Sequence, residues 1–251
     1  NYMVWSFANM PSFATFVDSG IGKGSLTFKP GYAASGTYSM TAYADDGNGA
    51  WASRTFKIIV NEVDPNESIR INFKTYSGNV PTWNDVDLYA TAPFNRPSLI
   101  TVKGQTTPIG VTALNTHYGG TAAGVQTGNN SGIYPDAVLK DYMEWGTYNY
   151  GSTDTMRMRF YGLDTARRYN FVFFGSSTIN CCGVNSNSVT TYRINNEVAT
   201  VRFYLNSTET DTIYQVKPNA AGEALITMIG DASSNAGGML NALIINAAFD
   251  D

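Results

Sequence analysis

Hydrophobic and polar positions alternate along most of the chain. In SIRINF, Ile69, Ile71 and Phe73 alternate with polar residues, and ATVRFYL repeats the pattern over 199–205. A period of two places one face of a strand on a core and the other in solvent. Further strand-like runs rich in aromatic or β-branched residues are YSMTAYA, TFKIIV, RMRFY, YNFVFF, ALITMI and ALIIN. The pattern predicts an all-β protein.

Clusters of Gly, Asn, Asp and Ser separate these runs, as in DSGIGKGS, DDGNGA, NSNS and DASSNAGG. Such clusters are typical of turns and loops. One segment, PDAVLKDYMEW at 135–145, is a candidate helix opened by Pro135, and it is equally compatible with an extended segment containing a turn. A charged, proline-containing stretch, VNEVDPNES at 60–68, separates two strand patterns. We therefore expect two domains, residues 1–62 and residues 67–251.

The first segment carries three recognisable stretches: MPSFATF at 10–16, GTYSMTAYADDGNG at 36–49 and TFKIIVNEVDPN at 55–66. It resembles the cadherin-like or Ig-like repeats of bacterial surface proteins, which implies a β-sandwich. A complete sandwich of this type needs about 100 residues and seven strands, and the pattern supports roughly five. Either the opening strands lie elsewhere in the protein or a neighbouring chain supplies them by strand exchange.

The second segment contains INF at 71–73, SGIYPDAVL at 131–139, MRFYGLDTARRYNFVFFGS at 158–176 and LNALIIN at 240–246. It resembles the galactose-binding-like, malectin-like jelly rolls attached to bacterial surface proteins and polysaccharide-degrading enzymes. The resemblance implies a larger β-jelly-roll sandwich, with carbohydrate binding as the usual activity. A fold alone does not identify a ligand.

Charge and composition narrow the classes of partner. The chain has 251 residues, a net charge of −4, one histidine and 14% charged residues, against about a quarter in a typical domain. No basic stripe along the sequence could neutralise phosphates, so we expect no nucleic acid. No apolar run is long enough for a membrane helix. Low charge with abundant Tyr, Thr, Ser, Asn and Gly favours an extracellular or cell-surface location.

Catalytic motifs are lacking in the sequence. No nucleophile elbow accompanies a serine, and no H-E-x-x-H, phosphate-binding loop or dinucleotide fingerprint occurs. A glycosidase needs two carboxylates at a set separation. The acids weighed for such a pair, each also compatible with a turn or solvated position, are Asp85, Asp87, Asp136, Asp141 and Glu144. We expect a protein that is not an enzyme.

Carbohydrate binding has support in the loops. Sugars present apolar C–H faces and hydroxyl edges, so their sites combine an aromatic ring with amides, carboxylates or arginine. VPTWNDVDLY, NTHYGG and DYMEWGTYNYG combine such side chains in strand-connecting segments. The candidate carbohydrate-binding residues are Trp83, Asn84, Asp85, Tyr118, Tyr142 and Trp145. Each aromatic residue is also compatible with core packing.

The chain has two cysteines, Cys181 and Cys182, and they are neighbours. Adjacent Cα atoms lie about 3.8 Å apart across a trans peptide, which is shorter than usual disulfide spacings. A bond between them would close a strained ring and lock a tight turn, and outside the cell adjacent thiols tend to oxidise. Free thiols and a link between chains remain open.

Calcium is the ion that the sequence suggests. Asp45 and Asp46 in DDGNG, with Glu62 and Asp64 in NEVDPN, could offer oxygen ligands near the domain junction. The resemblance to cadherin-like repeats adds to this expectation, because linkers of that family bind calcium with comparable acidic residues. Simple turn and linker acids explain the same residues.

Two hypotheses follow. In the first, the chain is a non-catalytic surface or adhesion module whose jelly roll binds a glycan and whose Ig-like domain acts as a spacer. In the second, it is a structural subunit of an extracellular filament, sheath or giant adhesin, completed by a neighbouring copy.

Overall fold

The computed structural model describes residues 3–28, 36–60, 67–75, 77–88, 93–116, 119–146, 155–180, 184–231 and 237–248. The chain divides into two compact units, residues 1–64 and residues 65–250. Strands dominate both units, and the described residues contain a single short helix. The prediction of an all-β sandwich protein is confirmed.

The small unit is built from two sheets. Its strands are β1 (Val4–Ala8), β2 (Ala14–Gly20), β3 (Lys23–Phe28), β4 (Gly36–Asp45) and β5 (Trp51–Val60). One sheet has the order β1-β4-β5, and the other is the antiparallel hairpin β2-β3. Aromatic side chains join the sheets, because the ring centroids of Phe7 and Phe16 lie 4.8 Å apart.

The core of the small unit is thin. Among its described residues, Ala14 and Met40 are the hydrophobic side chains that are fully buried. Phe56, Ile58 and Val60, on alternate positions of β5, are only partly buried. Burial of apolar surface drives folding. The described part of this unit therefore gains little stability from a fully buried core.

The large unit contains most of the strands. Its elements are β6 (Ile69–Lys74), β7 (Asn84–Asp87), β8 (Asn95–Arg96), β9 (Gly110–Ala113), β10 (Gly119–Thr121), α1 (Asp136–Lys140), β11 (Tyr142–Trp145), β12 (Thr155–Tyr161), β13 (Arg168–Phe174), β14 (Val189–Ile194), β15 (Glu197–Arg202), β16 (Asp211–Val216), β17 (Ala224–Ile229), β18 (Gly238–Leu240) and β19 (Ala242–Ala248).

Two large sheets of this unit enclose the main core. The six-stranded sheet has the order β15-β14-β17-β12-β9-β8, and the five-stranded sheet has the order β16-β13-β19-β6-β7. Every second side chain of β12, β13, β14 and β17 is buried between them, as the period-two pattern predicts. Phe173 and Tyr192 stack across the core with ring centroids 4.2 Å apart. A third sheet, β10-β11-β18, completes the unit.

The candidate helix at 135–145 resolves into two elements. Helix α1 covers residues 136–140 only, and Asp141 returns to an extended conformation. Residues 142–145 then form β11, whose four side chains are all buried. Pairing with β10 and β18 on both sides explains why this stretch extends rather than continuing the helix. No helix within the described part of the chain is long and apolar enough to cross a membrane.

Candidate functional site

Trp83 belongs to a small core and not to an exposed binding surface. Its exposed fraction is 6%, and it packs with Val138, Leu139 and Phe174. The ring of Tyr134 meets it edge-on at 5.3 Å, and the Arg70 guanidinium lies 5.8 Å from its ring centroid. Because these neighbours occupy its faces, a sugar has no access to this ring. The prediction for Trp83 is corrected.

Tyr142 and Trp145 are fully buried in β11. The hydroxyl groups of Tyr142 and Ser177 lie 3.2 Å apart. Trp145 packs so closely on β18 that a Cβ on Gly238 would stand 2.3 Å from its ring. The sequence suggested sugar stacking for both aromatic residues, and burial in the interior rules out that contact here.

Asn84 and Asp85 hold the backbone and a neighbouring strand. The Asn84 amide donates to the carbonyls of Arg70 and Ile100 at 3.0 and 2.8 Å and accepts from the Ile100 N–H at 2.7 Å. The Asp85 carboxylate accepts from the Asn72 amide at 2.8 Å. Asn84 therefore links two backbone segments inside the protein, and its amide has few hydrogen-bonding positions left for a ligand.

The predicted calcium ligands are described only in part. Asp45 accepts from the N–H of Gly47 at 2.8 Å, and Asp46 accepts from those of Asn48 and Ala50 at 2.9 and 3.0 Å. Both carboxylates thus order the turn between β4 and β5. Within the described ranges, no group of three His, Cys, Asp or Glu side chains could hold a metal ion. Glu62, Asp64, Tyr118, Cys181 and Cys182 lie outside the described residues, so the predictions for them remain predictions.

Three of the carboxylates weighed for catalysis, those of Asp136, Asp141 and Glu144, accept hydrogen bonds from neighbouring segments of the chain. Asp141 accepts from the N–H groups of Thr75 and Ser77 at 2.8 and 2.7 Å, and Glu144 accepts from the Thr121 hydroxyl at 2.9 Å. Asp136 accepts from both the N–H and the hydroxyl of Thr127 at 2.8 Å. Each of these three acids therefore has a structural role that accounts for its position.

An open cleft at the edge of the large unit brings an exposed aromatic ring together with amide and charged side chains. It has a volume of about 320 Å³, and we call it the Tyr214 cleft. Tyr214, on edge strand β16, is 67% exposed. The residues lining the cleft are Arg168, Ile194, Asn195, Asn196, Glu197, Tyr214, Gln215, Val216 and Lys217. An exposed ring beside amides and charges of both signs is the combination expected of a carbohydrate site.

Two turns fix the walls of the Tyr214 cleft. Asn195, between β14 and β15, adopts a positive φ of 56°, which asparagine tolerates in a tight hairpin. Gln215 adopts φ 57° where β16 slips in register against β13. The Gln215 N–H donates to the Asn170 amide oxygen at 2.9 Å, and Arg168 donates to the Gln215 carbonyl at 3.1 Å. These two hydrogen bonds stabilise the strand irregularity beside Tyr214.

The side-chain amides at the tip of the β14–β15 hairpin are available to form hydrogen bonds with a ligand. Among the described residues, the side chains of Asn195 and Asn196 make no hydrogen bond, so their donors and acceptors face solvent or a ligand. Glu197 and Lys217 add one charge of each sign to the lining. The cleft can therefore contact both the apolar face and the hydroxyl edge of a sugar ring.

A second cleft of about 250 Å³ lies where β13 begins, and we call it the Glu67–Arg167 cleft. Its floor is apolar, with Ile69, Ile109 and Ile245. Arg167 is paired with Glu67 and lies 3.5 Å from the Asp164 carboxylate. Because two carboxylates already compensate the guanidinium, this cleft suits an apolar group better than a hydroxyl-rich one.

Tyr169 closes the floor of that second cleft. Its hydroxyl accepts from the Asp164 N–H at 2.9 Å. Burial raises the pKa of Tyr169, while the bond from Asp164 opposes the shift. The phenol therefore stays protonated at physiological pH and can act as a hydrogen-bond donor.

Sequence reasoning missed Tyr214 and its neighbours. In DTIYQV, Tyr214 looks like an ordinary strand residue. The Asn-Asn pair after a strand was the available indication of a tight hairpin, but nothing local connects it with residues almost twenty positions later. The meeting of β15 and β16 at one edge of the sandwich brings them together.

Comparisons with known proteins give only distant structural likenesses. No protein-family model and no curated protein matches the chain. One solved structure found by the comparison is that of the plant receptor-like kinase ANX2, with 12% identity and a TM-score of 0.38, covering 84% of this chain and 65% of that chain. The ANX1 ectodomain from Arabidopsis thaliana is 10% identical with a TM-score of 0.35, and the match covers 99% of this chain and 82% of that chain. The ANXUR2 extracellular domain from Arabidopsis thaliana is 13% identical with a TM-score of 0.34, and the match covers 84% of this chain and 66% of that chain. This chain thus spans just under two thirds of the length of ANX2, and likenesses of this degree assign no function.

Proposed function

We propose that the large unit is a non-catalytic carbohydrate-binding module of an extracellular protein, and that the Tyr214 cleft holds the sugar. The observation that carries the proposal is the 67% exposure of the Tyr214 ring beside the hairpin amides. A large aromatic side chain left in solvent loses the stabilisation that burial would give it. A ligand that covers the ring recovers that stabilisation.

Recognition at the cleft divides between the ring and the polar rim. The C–H face of a sugar stacks on Tyr214, while the amides of Asn195 and Asn196 bind its hydroxyl groups. Arg168 and Lys217 favour hydroxyl oxygens or an acidic substituent at the rim. Because the bulge and the hairpin are already ordered, binding costs little backbone entropy.

The test is a glycan array probed with the wild-type chain and two single variants. Tyr214→Ala removes the proposed stacking ring, and Trp51→Ala removes a ring of similar exposure, 69%, in the small unit. We expect wild type and Trp51→Ala to bind the same oligosaccharides, and Tyr214→Ala to lose roughly tenfold or more in affinity. Equal binding by all three proteins would contradict the proposal.

A second candidate function is that of a structural subunit. The observations in its favour are the thin core of the small unit and the ten-residue edge strand β5, which pairs with β4 on one side among the described residues. Unpaired edges are templates for a strand from another chain. In this hypothesis a second copy completes the sandwich.

Sedimentation velocity over a range of protein concentrations separates the two functions. A filament subunit forms species of increasing size as concentration rises, whereas a binding module stays monomeric at all concentrations. A single monomeric species up to about 100 µM, a concentration at which weak association through a standard interface is detectable, would eliminate the structural hypothesis.

A further inference from the structure

We propose that the outer face of the six-stranded sheet binds an acidic polysaccharide through a row of arginines. This surface is separate from the Tyr214 cleft, and the proposal does not depend on the cleft. We call the surface the arginine face. Its arginines are Arg157 and Arg159 on β12, Arg193 on β14 and Arg202 on β15.

Strand alternation places these arginines on one side of the sheet. On β12 the buried residues are Met156, Met158 and Phe160, so the arginines between them point outward. On β14, Tyr192 and Ile194 are buried and Arg193 between them is exposed. A period of two requires this separation of faces.

Strand register then aligns Arg193 with Arg157 across the sheet, whereas Arg202 is paired with Val189, four residues before Arg193 on β14. Arg193 is paired with Thr227 of β17, and Thr227 is paired with Arg157 on its other side. Since neighbouring strands lie about 4.8 Å apart, the Cα atoms of Arg193 and Arg157 are separated by about 10 Å. Arg159 follows Arg157 at about 7 Å along β12. Arg193, Arg157 and Arg159 thus form a closely spaced group of cations on the sheet, and Arg202 lies farther along it.

Three of the four arginines on the arginine face form no ion pair among the described residues. Arg159 forms an ion pair with Glu223 at 3.2 Å and lies 5.9 Å from the Tyr161 ring centroid. Within the described part of the chain, Arg157, Arg193 and Arg202 have no carboxylate within ion-pair distance. The whole chain has a net charge of −4. Positive charge is thus concentrated here against the overall balance.

Hydroxyl groups separate the guanidinium groups. Thr191, Thr200, Thr227 and Thr112 share the outer side of the sheet with the arginines, as the pairings of Thr191 with Thr200 and of Arg159 with Thr112 show. Guanidinium groups bind carboxylates in a bidentate manner, and threonine hydroxyls donate and accept hydrogen bonds. A polymer of uronic acids presents carboxylates and hydroxyls in regular alternation, which matches this surface.

Other polyanions fit the arginine face less well. Single-stranded nucleic acid is usually bound on several exposed aromatic rings that stack with the bases. Here the strongly exposed apolar residues are the aliphatic Val198 and Leu225, and the Tyr161 ring is half-buried beside Arg159. Duplex DNA is usually held by many phosphate contacts, more than four arginines supply. A chain of carboxylated sugars needs few contacts for each repeat and can follow the face of a sheet.

Polygalacturonate is a suitable probe, with neutral dextran and duplex DNA as comparison polymers. We expect the full chain to bind polygalacturonate and to show no retention by dextran in affinity electrophoresis. Binding should tighten roughly tenfold or more when salt falls from about 200 mM to about 50 mM, because bound counterions are released.

The double variant Arg157→Gln/Arg193→Gln tests the row itself. It should bind polygalacturonate at least tenfold more weakly, whereas Arg54→Gln/Lys57→Gln, which removes two charges from exposed positions of β5, should stay within about twofold of wild type. An unchanged midpoint of thermal unfolding confirms that the variants fold. The variant Arg157→Lys/Arg193→Lys should retain salt-dependent binding with lower affinity, because lysine keeps the charge but loses the bidentate geometry.

Three outcomes would overturn the proposal: equal retention by dextran, unchanged affinity of Arg157→Gln/Arg193→Gln, or tighter binding of duplex DNA than of polygalacturonate. The last outcome would identify nucleic acid as the partner. The variant Tyr214→Ala, assayed on the same gels, should bind polygalacturonate as wild type does. This result distinguishes binding at the arginine face from binding at the Tyr214 cleft.

Discussion

The surroundings of Tyr134, on the outer side of the five-stranded sheet, shift the pKa of its phenol. Its ring meets those of Trp83 and Phe174 edge-on, each at 5.3 Å. Burial raises the pKa of Tyr134 from 10.0 to about 12, and the nearby Arg70 charge opposes the shift. The phenol is therefore neutral in the folded protein at a pH where it ionises in the unfolded chain.

The raised pKa predicts an alkaline loss of stability. Below pH 10 the phenol is neutral in both states. Between pH 10 and about 12 the unfolded chain releases this proton and the folded protein retains it, so the free energy of unfolding falls by at most roughly 3 kcal/mol. Tyr134→Phe keeps the ring contacts and removes this proton.

Urea unfolding of the large unit from pH 9 to pH 12 checks this prediction. The variant Tyr134→Phe should lose less stability over this range than wild type, and Tyr214→Phe controls for the removal of one hydroxyl. A pH dependence identical in wild type and Tyr134→Phe would show that the phenol is not shielded in the folded state.

At the scale of elements, a carboxylate organises the loop before α1. Asp136 accepts hydrogen bonds from the N–H groups of Thr127 and Gly128 and from the Thr127 hydroxyl. These bonds, first of all that from the Thr127 N–H, lower the pKa of Asp136 from 3.8. The loop thus depends on the ionised form of one side chain, rather than on regular secondary structure.

The lowered pKa predicts an acid-sensitive loop. The contribution of Asp136 is present above pH 3.8, the ordinary pKa, and is lost as the pH falls through the lower folded-state pKa. The amide NMR resonances of Thr127 and Gly128 should titrate with a midpoint below 3.8 in wild type. In Asp136→Asn this titration should be absent. In Asp164→Asn, which alters a different turn, it should persist, and a midpoint above 3.8 in wild type would refute the assignment.

Sequence patterns predicted the elements better than they predicted the site. Alternation in stretches such as RMRFY and ALITMI gave the strands correctly, because burial on one face imposes a period of two. The stretch after Asp141 was ambiguous, since four consecutive buried residues have no period, and only pairing with β10 and β18 decides its conformation.

At the scale of the whole molecule, sequence proximity misled the choice of binding residues. Tyr142 and Trp145 stand in an aromatic-rich stretch, yet both are interior residues. Composition does not reveal that β11 is a central strand with both faces covered. Tyr214 and Asn195 meet at the edge where two sheets end, and Arg193 and Arg157 meet across β17. Such sites depend on strand order, which a single sequence does not encode in local patterns.

The two proposed surfaces of the large unit divide recognition between them. The Tyr214 cleft offers one exposed ring with amides for a sugar unit, and the arginine face offers charge for a polymer. Both are built on strands of rigid sheets, so neither needs a large conformational change to bind.

Hydrogen–deuterium exchange with and without the strongest-binding oligosaccharide from the glycan array tests the central claim most directly. The account predicts slower exchange at residues 194–197 and 214–217, which form the Tyr214 cleft. Protection confined to residues of the Glu67–Arg167 cleft, or no change at the hairpin and β16, would contradict it.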